Sequence, residues 1–270
     1  MRVIDWAQCE GVVCNGPVKC GTGILLKLAA MMGFEQRSGI WLQDGKGVQR
    51  GRLEDDQSTS PGVPLKYSEA SSSLFLSLLK DSILKSPKHE DRPVGVLGPK
   101  EFIHSHLHPF PAKRVVTILR DPRDAAISWI RWNGAAAVFQ NWRDTDAHLI
   151  DFIRAGDRLH TKAPWVRYYR PFLKWRETPE RVVYFEDIFK FYSPMLLIRH
   201  AWDCSAYEPM TKFHEKLQGG AVFPDKQDGV NSVSTFTGTH SNWEERWTPE
   251  IQRYWHETGG DDLVEEYYAR

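Results

Sequence analysis

A short apolar run that passes directly into a helical pattern, within residues 113–132, constrains this chain more than any other stretch. The residues Val115–Leu119 are β-branched or apolar, which is typical of a strand buried in a parallel sheet. Asp121 can then cap a helix and Pro122 suits its first turn, and the apolar residues that follow predict a helix. Arg120 is therefore expected at the carboxyl end of a strand, where open α/β sheets bind their ligands.

Ser128 follows Arg120 about two helical turns later. A cation at the end of a strand and a hydroxyl on the next helix could hold one phosphate group. The alternative is a solvated arginine and a serine that only packs.

A second strand, loop and helix is predicted near the start of the chain. Residues 11–14 are typical of a short strand, a turn-rich loop follows, and apolar residues recur at helical spacing from Ile24 until Gly33, a natural stop. In this context backbone N–H groups and a helix N-terminus can bind phosphate. A plain structural turn is the other interpretation.

The loop matches the phosphate loop of nucleotide triphosphatases only in part. The spacing from Gly16 to Gly21 fits, but Thr22 occupies the place of the lysine and Gly23 that of the magnesium-binding hydroxyl. The lysine lies inside the loop, at Lys19. The sequence therefore predicts a phosphate site that lacks the usual metal ligand.

Three histidines at alternate positions, His104, His106 and His108, lie between the two candidate phosphate sites. On a strand they would share one face, which would suit a metal site. No acidic residue or cysteine is close in sequence, so a general base and ordinary packing stay open beside the metal.

The remaining patterns alternate between strands and helices. Strands are predicted near 94–97, 101–104 and 181–185, and helices near 74–83, 147–155, 164–176, 193–203 and after 247. Such alternation predicts an α/β fold with a P-loop-like parallel β-sheet flanked by α-helices, here as a single domain over residues 1–270. Residues 43–73 are polar and rich in Gly and Ser, which predicts either a mobile lid or a surface insertion.

The composition excludes several classes of function. The chain has 35 basic and 35 acidic residues, so neither a nucleic-acid-binding surface nor a basic membrane anchor is expected. No apolar run approaches ~18 residues, and charged residues interrupt the first 30. Four cysteines are too few for a disulfide framework, and their spacing fits no common zinc site. We expect a cytoplasmic protein with reduced thiols.

Five segments, in this order, resemble the motifs of cytosolic-type sulfotransferases that use 3′-phosphoadenosine 5′-phosphosulfate (PAPS). They are the loop Pro17–Thr22, the segment Ser105–Leu107, Arg120 with Ser128, the stretch Trp165–Asp187, and Gly238–Thr248. The resemblance extends from about Val12 to Trp255.

The resemblance implies a role for each matching residue. The 5′-phosphosulfate would be bound by Lys19, Gly21 and Thr22, with Cys20 and Gly23 as further cofactor-binding residues of the loop. The 3′-phosphate would be bound by Arg120 and Ser128, and the adenine by Thr211 and Phe213. Gly238 would also contact the cofactor. His106 would take the proton of the acceptor, and Lys19 would follow the charge that develops on the bridging oxygen.

Several positions depart from the pattern of that family. Phe236-Thr237-Gly238 replaces Arg-Lys-Gly, Ile24 replaces a tryptophan, Phe185 a tyrosine and His104 a lysine, and Glu244, Pro249 and Arg253 replace the Lys, Val and Glu of a dimer motif. The 3′-phosphate site therefore lacks expected cations, and the oligomeric state stays open.

The sequence thus predicts a sulfotransferase that moves a sulfuryl group from PAPS to a hydroxyl or amine of a small molecule, releasing 3′-phosphoadenosine 5′-phosphate (PAP). The transfer would be in line, with a histidine as general base. A lysine and loop amides would stabilise the anionic leaving group, and a histidine base can add ~10²–10⁴-fold. One alternative is an ATP-dependent kinase of P-loop type, against which Gly23 argues. Another is a catalytically inactive nucleotide-binding protein, which Phe236 and Thr237 keep open.

Overall fold

The computed structural model describes residues 9–43, 49–52, 97–136, 144–157, 161, 163–205, 207–218 and 243–269. Gly238, the predicted helix near 74–83 and most of the predicted strand near 94–97 lie outside these ranges. The described residues fall into two compact units. One comprises 9–52, 97–120 and 174–218, and the other 121–173 and 243–269, with the gaps just given. A single domain over residues 1–270 stays a prediction.

The first unit contains a six-stranded sheet, as far as the described residues show. Its strands are β1 Val12–Asn15, β2 Glu35–Gln43, β3 Gln49–Arg52, β4 Glu101–His106, β5 Val115–Leu119 and β6 Val182–Tyr184, in the order β3-β2-β4-β1-β5-β6. All neighbouring pairs are parallel except β2 and β3, which are antiparallel. The predicted α/β fold with a parallel sheet is confirmed.

Helices follow the strands along the chain. They are α1 Thr22–Met31, α2 Pro122–Ala136, α3 Asp146–Ala155, α4 Trp165–Tyr169, α5 Phe185–Ile188, α6 Ser193–Ala201, α7 Glu208–Gln218, α8 Trp243–Arg246, α9 Pro249–Glu257 and α10 Gly260–Tyr268. Helices α1 and α5–α7 belong to the first unit, and α2–α4 and α8–α10 to the second. No described helix has the length and apolar character that crossing a membrane requires.

The central strands are buried along their whole length, as their apolar sequences predict. Every residue of β1 and of β5 is buried, so both faces of these two strands are covered, as is usual in parallel sheets. Helix α1 ends where Gly33 adopts a left-handed conformation with φ +83°, and the Phe34 N–H donates to the Ala29 carbonyl. The predicted glycine stop is therefore confirmed.

The start of α2 is stabilised by the residue that the sequence predicts as its cap. The Asp121 Oδ1 accepts a hydrogen bond from the Arg123 N–H at 2.8 Å. Both carboxylate oxygens also bind the Arg123 guanidinium, at 3.0 and 2.6 Å, and Oδ2 accepts from the Tyr268 hydroxyl at 2.7 Å. This buried carboxylate thus joins α2 to α10 within the second unit.

Three parts of the fold differ from the sequence-based predictions. Strand β2 was not predicted, and β3 forms within the segment expected to be an irregular lid or insertion; residues 44–48 and 53–73 of that segment lie outside the described ranges. The helix predicted over 164–176 ends at Tyr169 and continues as a 3₁₀ helix, Arg170–Glu177. Pro171 explains this end, because its ring lacks an N–H and clashes with the preceding turn of an α-helix.

Candidate functional site

The carboxyl ends of β4, β1 and β5 are neighbours in the sheet of the first unit. The loop of residues 16–21 follows β1, His106 is the last residue of β4, and Arg120 directly follows β5. Open α/β sheets bind ligands at this edge. Three of the candidate groups therefore converge because of strand order alone.

The loop presents the N-terminus of α1 without a competing side chain. Gly21 precedes the helix with φ +101°, no side chain caps the first turn, and that turn contains no acidic residue. A Cβ atom on Gly21 would lie 2.6 Å from the Phe185 ring, so only glycine fits. Such an N-terminus favours an anion, because its first N–H groups point outward along the positive end of the helix dipole.

Lys19 lies at the tip of this loop in an unusual backbone conformation. Its φ is +62°, in the left-handed region that non-glycine residues rarely adopt. Burial, and then the nearby charge of Arg120, lower the pKa of Lys19 to about 8. A bound anion would oppose both effects, because it stabilises the charged ammonium.

Arg120 lies beneath the same loop. Its side chain is buried, its Nη1 donates to the Lys19 carbonyl at 3.4 Å, and its guanidinium carbon is 4.3 Å from the centroid of the Phe185 ring. Arginine and lysine side chains are the usual ligands of phosphate groups. The loop, the helix N-terminus and these two cations together fit a phosphate-bearing cofactor.

His106 is joined to the loop by a short hydrogen bond. Its Nδ1 lies 2.6 Å from the Gly16 carbonyl oxygen. A carbonyl oxygen can only accept, so Nδ1 carries the proton and the neutral ring has its lone pair on Nε2. The ring can therefore accept a proton at Nε2, which is what a general base must do.

His104 and His106 lie on the same face of β4, as their alternate spacing predicts. Their ring centroids are 4.5 Å apart, and the His104 Nε2 is 2.9 Å from the Thr22 Oγ1. His108 lies beyond the end of β4, where burial, and then the charge of Lys174, lower its pKa. Within the described ranges no group of His, Cys, Asp and Glu side chains could hold a metal ion.

The other predicted site residues are distributed over both units and beyond. Ser128 lies on α2 in the second unit and is partly buried. Thr211 and Phe213 lie on α7, which contacts α1; Phe213 is fully buried, and the Thr211 hydroxyl is 3.1 Å from that of Tyr192. Gly238 lies outside the described residues. The roles of these four in cofactor binding stay predictions.

Two further positions in the loop have different surroundings. Cys20 is completely buried. A Cβ atom on Gly23 would meet no described atom within 4 Å. At this position a nucleotide triphosphatase would have its metal-binding hydroxyl.

Sequence reasoning missed one buried residue beside the site. Asn15, the last residue of β1, is completely buried and hydrogen-bonded to both neighbouring strands. The signal that could have found it is a lone amide side chain at the end of an otherwise apolar strand. Buried amides of this kind have their hydrogen bonds satisfied within the protein.

Comparison with solved structures identifies the architecture. The crystal structure of mouse sulfotransferase SULT7A1 complexed with PAP matches with a TM-score of 0.57 and 15% identity, covering 96% of this chain and 84% of that one. The chain has the sulfotransferase fold. Retinol dehydratase in complex with androsterone and PAP matches with a TM-score of 0.54 at 14% identity, covering 94% and 80% of the two chains.

A second structure of retinol dehydratase, in a complex with retinol and PAP, matches with a TM-score of 0.52 and 14% identity over 95% and 82% of the two chains. No protein-family model and no curated protein matches the sequence. The likeness therefore lies in the fold, at sequence identities far below those that would transfer an activity.

Proposed function

We propose that this chain is a PAPS-dependent sulfotransferase that sulfates a hydroxyl or amine of a small-molecule acceptor. The observation that carries the proposal is the 2.6 Å hydrogen bond between the His106 Nδ1 and the Gly16 carbonyl. It joins a base candidate whose neutral tautomer is defined directly to the loop that follows β1.

The cofactor class is supported by the charges of the loop. Lys19 and Arg120 lie close enough for the charge of one to lower the pKa of the other, and the α1 N-terminus adds partial positive charge. The three solved structures that share the fold contain PAP. PAPS, when bound, supplies the sulfuryl group that is transferred.

The residues of the chain divide the remaining work between them. The His106 Nε2 would take the proton of the acceptor while the acceptor atom bonds to sulfur and the bond to the bridging oxygen breaks. Lys19 and the N–H groups at the start of α1 would stabilise the negative charge that develops on the leaving phosphate. Arg120 would hold phosphate equally in the ground state and the transition state, which is uniform binding.

The kinase alternative is less well supported by the same loop. Kinases of P-loop type hold magnesium through a hydroxyl at the position of Gly23. Glycine has no side chain that could do so. Sulfuryl transfer needs no metal at this position.

A small hydroxyl compound is the acceptor class that the comparisons favour. Two of the similar structures contain androsterone or retinol beside PAP. We carry over only the class, a small organic alcohol or phenol, with amines as the second choice.

Incubation with ³⁵S-labelled PAPS and a panel of phenols, alcohols and amines tests the proposed activity. We expect label in at least one organic product, without added divalent metal, and loss of that product in His106→Ala. Transfer of ³²P from the γ-phosphate of ATP to the same panel, with no transfer from PAPS, would overturn the proposal in favour of a kinase.

A further inference from the structure

The side chain of Asn15 connects the three strands whose ends carry the candidate site. In the sheet, Asn15 is directly opposite Ser105 of β4 on one side and Thr117 of β5 on the other. All three side chains are completely buried. The carboxyl ends of these strands lead to the phosphate loop, to His106 and to Arg120.

The Asn15 amide makes a full set of hydrogen bonds. Its Nδ2 donates to the Leu107 carbonyl at 2.9 Å and lies 3.0 Å from the Thr117 Oγ1. Its Oδ1 accepts from the Ser105 hydroxyl at 2.6 Å and from the Leu107 N–H at 2.8 Å. An amide has two N–H donors and an oxygen with two lone pairs, so no capacity is left over.

These contacts hold the residues on both sides of His106. Ser105 precedes it and Leu107 follows it, and the Leu107 carbonyl also accepts from the Trp175 Nε1 at 3.1 Å. Successive residues of a strand face opposite sides, so the imidazole of His106 lies on the other face of β4 from the Ser105 hydroxyl that Asn15 binds. Asn15 can act on His106 only through the backbone of β4.

The partner of the His106 ring is held by the same residue. The Gly16 carbonyl, which accepts from the His106 Nδ1, belongs to the residue that follows Asn15. The Asn15 amide therefore restrains the backbone on both sides of this hydrogen bond, that of His106 and that of Gly16. An error of about 1 Å in such a position can cost ~10²-fold in rate.

From this geometry we infer that Asn15 is a positioning residue. It keeps the His106 ring in the Nδ1–H tautomer, with Nε2 directed at the small-molecule acceptor of the sulfuryl group. The inference rests on the proposed function, because it assigns His106 the role of base. Asn15 itself touches neither substrate nor cofactor.

Two measurements on Asn15→Ala test the inference, the tautomer of His106 and the rate of sulfuryl transfer. In protein labelled with ¹⁵N-histidine, the His106 signal, assigned by its loss in His106→Gln, should report Nδ1–H alone in the unmodified chain. In Asn15→Ala we expect a mixture of tautomers and a turnover lower by roughly 10- to 100-fold, with PAP affinity nearly unchanged.

Val183→Ala is the matched control, because Val183 is buried on β6 in the same sheet and is opposite Ile118, not Thr117. It should lose thermal stability yet keep the tautomer and the turnover. If Asn15→Ala does not fold, Ser105→Ala and Thr117→Val each remove one bond of the network and should shift the tautomer ratio by a smaller amount.

A single Nδ1–H tautomer that survives Asn15→Ala, or a loss of turnover no larger than that of an equally destabilised Val183→Ala, would overturn the inference. Failure of the unmodified chain to bind PAP would instead overturn the proposed function. The tautomer is measured without any substrate, so the two failures are distinguishable.

Discussion

A hydrogen bond to the Gly16 carbonyl holds the imidazole of His106 in place. Because the carbonyl accepts from Nδ1, the basic nitrogen of the neutral ring is Nε2, on the side of the ring opposite the loop. A neutral hydroxyl is a poor nucleophile until its proton leaves, and imidazole titrates near neutral pH. This single contact thus fixes the position of the ring and, for the neutral ring, its tautomer.

His106→Ala should lower turnover by ~10²-fold or more, because the acceptor then keeps its proton. PAP affinity, measured by calorimetry, should stay nearly normal. His108→Ala is the matched control: His108 lies beyond the end of β4 and should retain most of the activity. Near-full activity of His106→Ala on a genuine acceptor would mean that another group is the base.

PAP affinity should depend on the protonation of Lys19. Its pKa of about 8 in the free protein rises when an anion binds, so binding takes up protons above that pH. Affinity should therefore be nearly constant on the acidic side of the pKa and fall as the pH rises through it. Calorimetry from about pH 7 to about pH 9 measures this.

Lys19→Met is the control for this pH dependence, since it removes the titrating group and leaves any titration of the ligand. The variant should bind PAP more weakly, with an affinity that changes less over the same interval. Equal slopes in the two proteins would show that Lys19 does not contact the phosphate.

His104 should affect cofactor affinity more than turnover, because its Nε2 contacts the Thr22 hydroxyl at 2.9 Å. His104→Ala removes a hydrogen bond of ~0.5–1.5 kcal/mol that orients this hydroxyl. In a double-mutant cycle with Thr22→Val, measured as PAP affinity, the two changes should be less than additive. Strict additivity would separate His104 from the phosphate site.

At the residue level, the charged and titratable groups of the candidate site could be predicted from the sequence. Arg120 directly follows a predicted strand, and Lys19 and His106 lie just beyond two others, so their type and position pointed to one edge of the sheet. The contacts of Asn15 with Ser105 and Thr117 could not be predicted, because they depend on strand order and register. Neither is encoded in a local pattern.

Among the helices, the buried carboxylate of Asp121 joins the N-terminus of α2 to α10. Asp121 caps the helix, pairs with Arg123 and accepts from Tyr268. The Arg123 guanidinium also lies 3.5 Å from the centroid of a Trp243 ring. Burial favours the neutral form of Arg123. The hydrogen bond to Asp121 and the negative charge of Asp121 outweigh this effect and raise the pKa of Arg123.

Asp121→Ala should lower the free energy of unfolding by ~2–4 kcal/mol, because it removes the cap and leaves the Arg123 charge without its buried partner. Tyr268→Phe removes only one hydrogen bond to the same carboxylate and should cost ~1 kcal/mol. Urea denaturation of both variants measures the two losses. A loss in Asp121→Ala no larger than that in Tyr268→Phe would mean that the carboxylate contributes little.

The strands that sequence patterns predicted best are those that are covered on both faces. Strands β1 and β5 are covered on both faces and have continuous apolar sequences. Strand β3 lies at an edge of the sheet and consists of Gln, Arg and Gly residues. Its pairing with β2 satisfies backbone groups without any apolar pattern, so polarity alone suggested a loop.

At the scale of the whole chain, the described residues form a sheet-containing unit and a helical unit. The first contains the loop, His106 and Arg120, and the second contains Ser128. Solved structures with PAP share this fold over more than nine tenths of the chain. Local patterns in the sequence predicted the fold class, but not how the chain divides between two units that alternate along it.

PAP binding without a divalent metal distinguishes a PAPS-dependent sulfotransferase from a kinase. In EDTA, PAP at 100-fold its dissociation constant should stabilise the protein by ~2.7 kcal/mol, which corresponds to ~5–10 °C in melting temperature. ATP with magnesium should stabilise it less, and Lys19→Met should lose most of the effect of PAP. Stabilisation that vanishes in EDTA, or that is larger with ATP and magnesium, would contradict the proposed sulfotransferase function and favour a kinase.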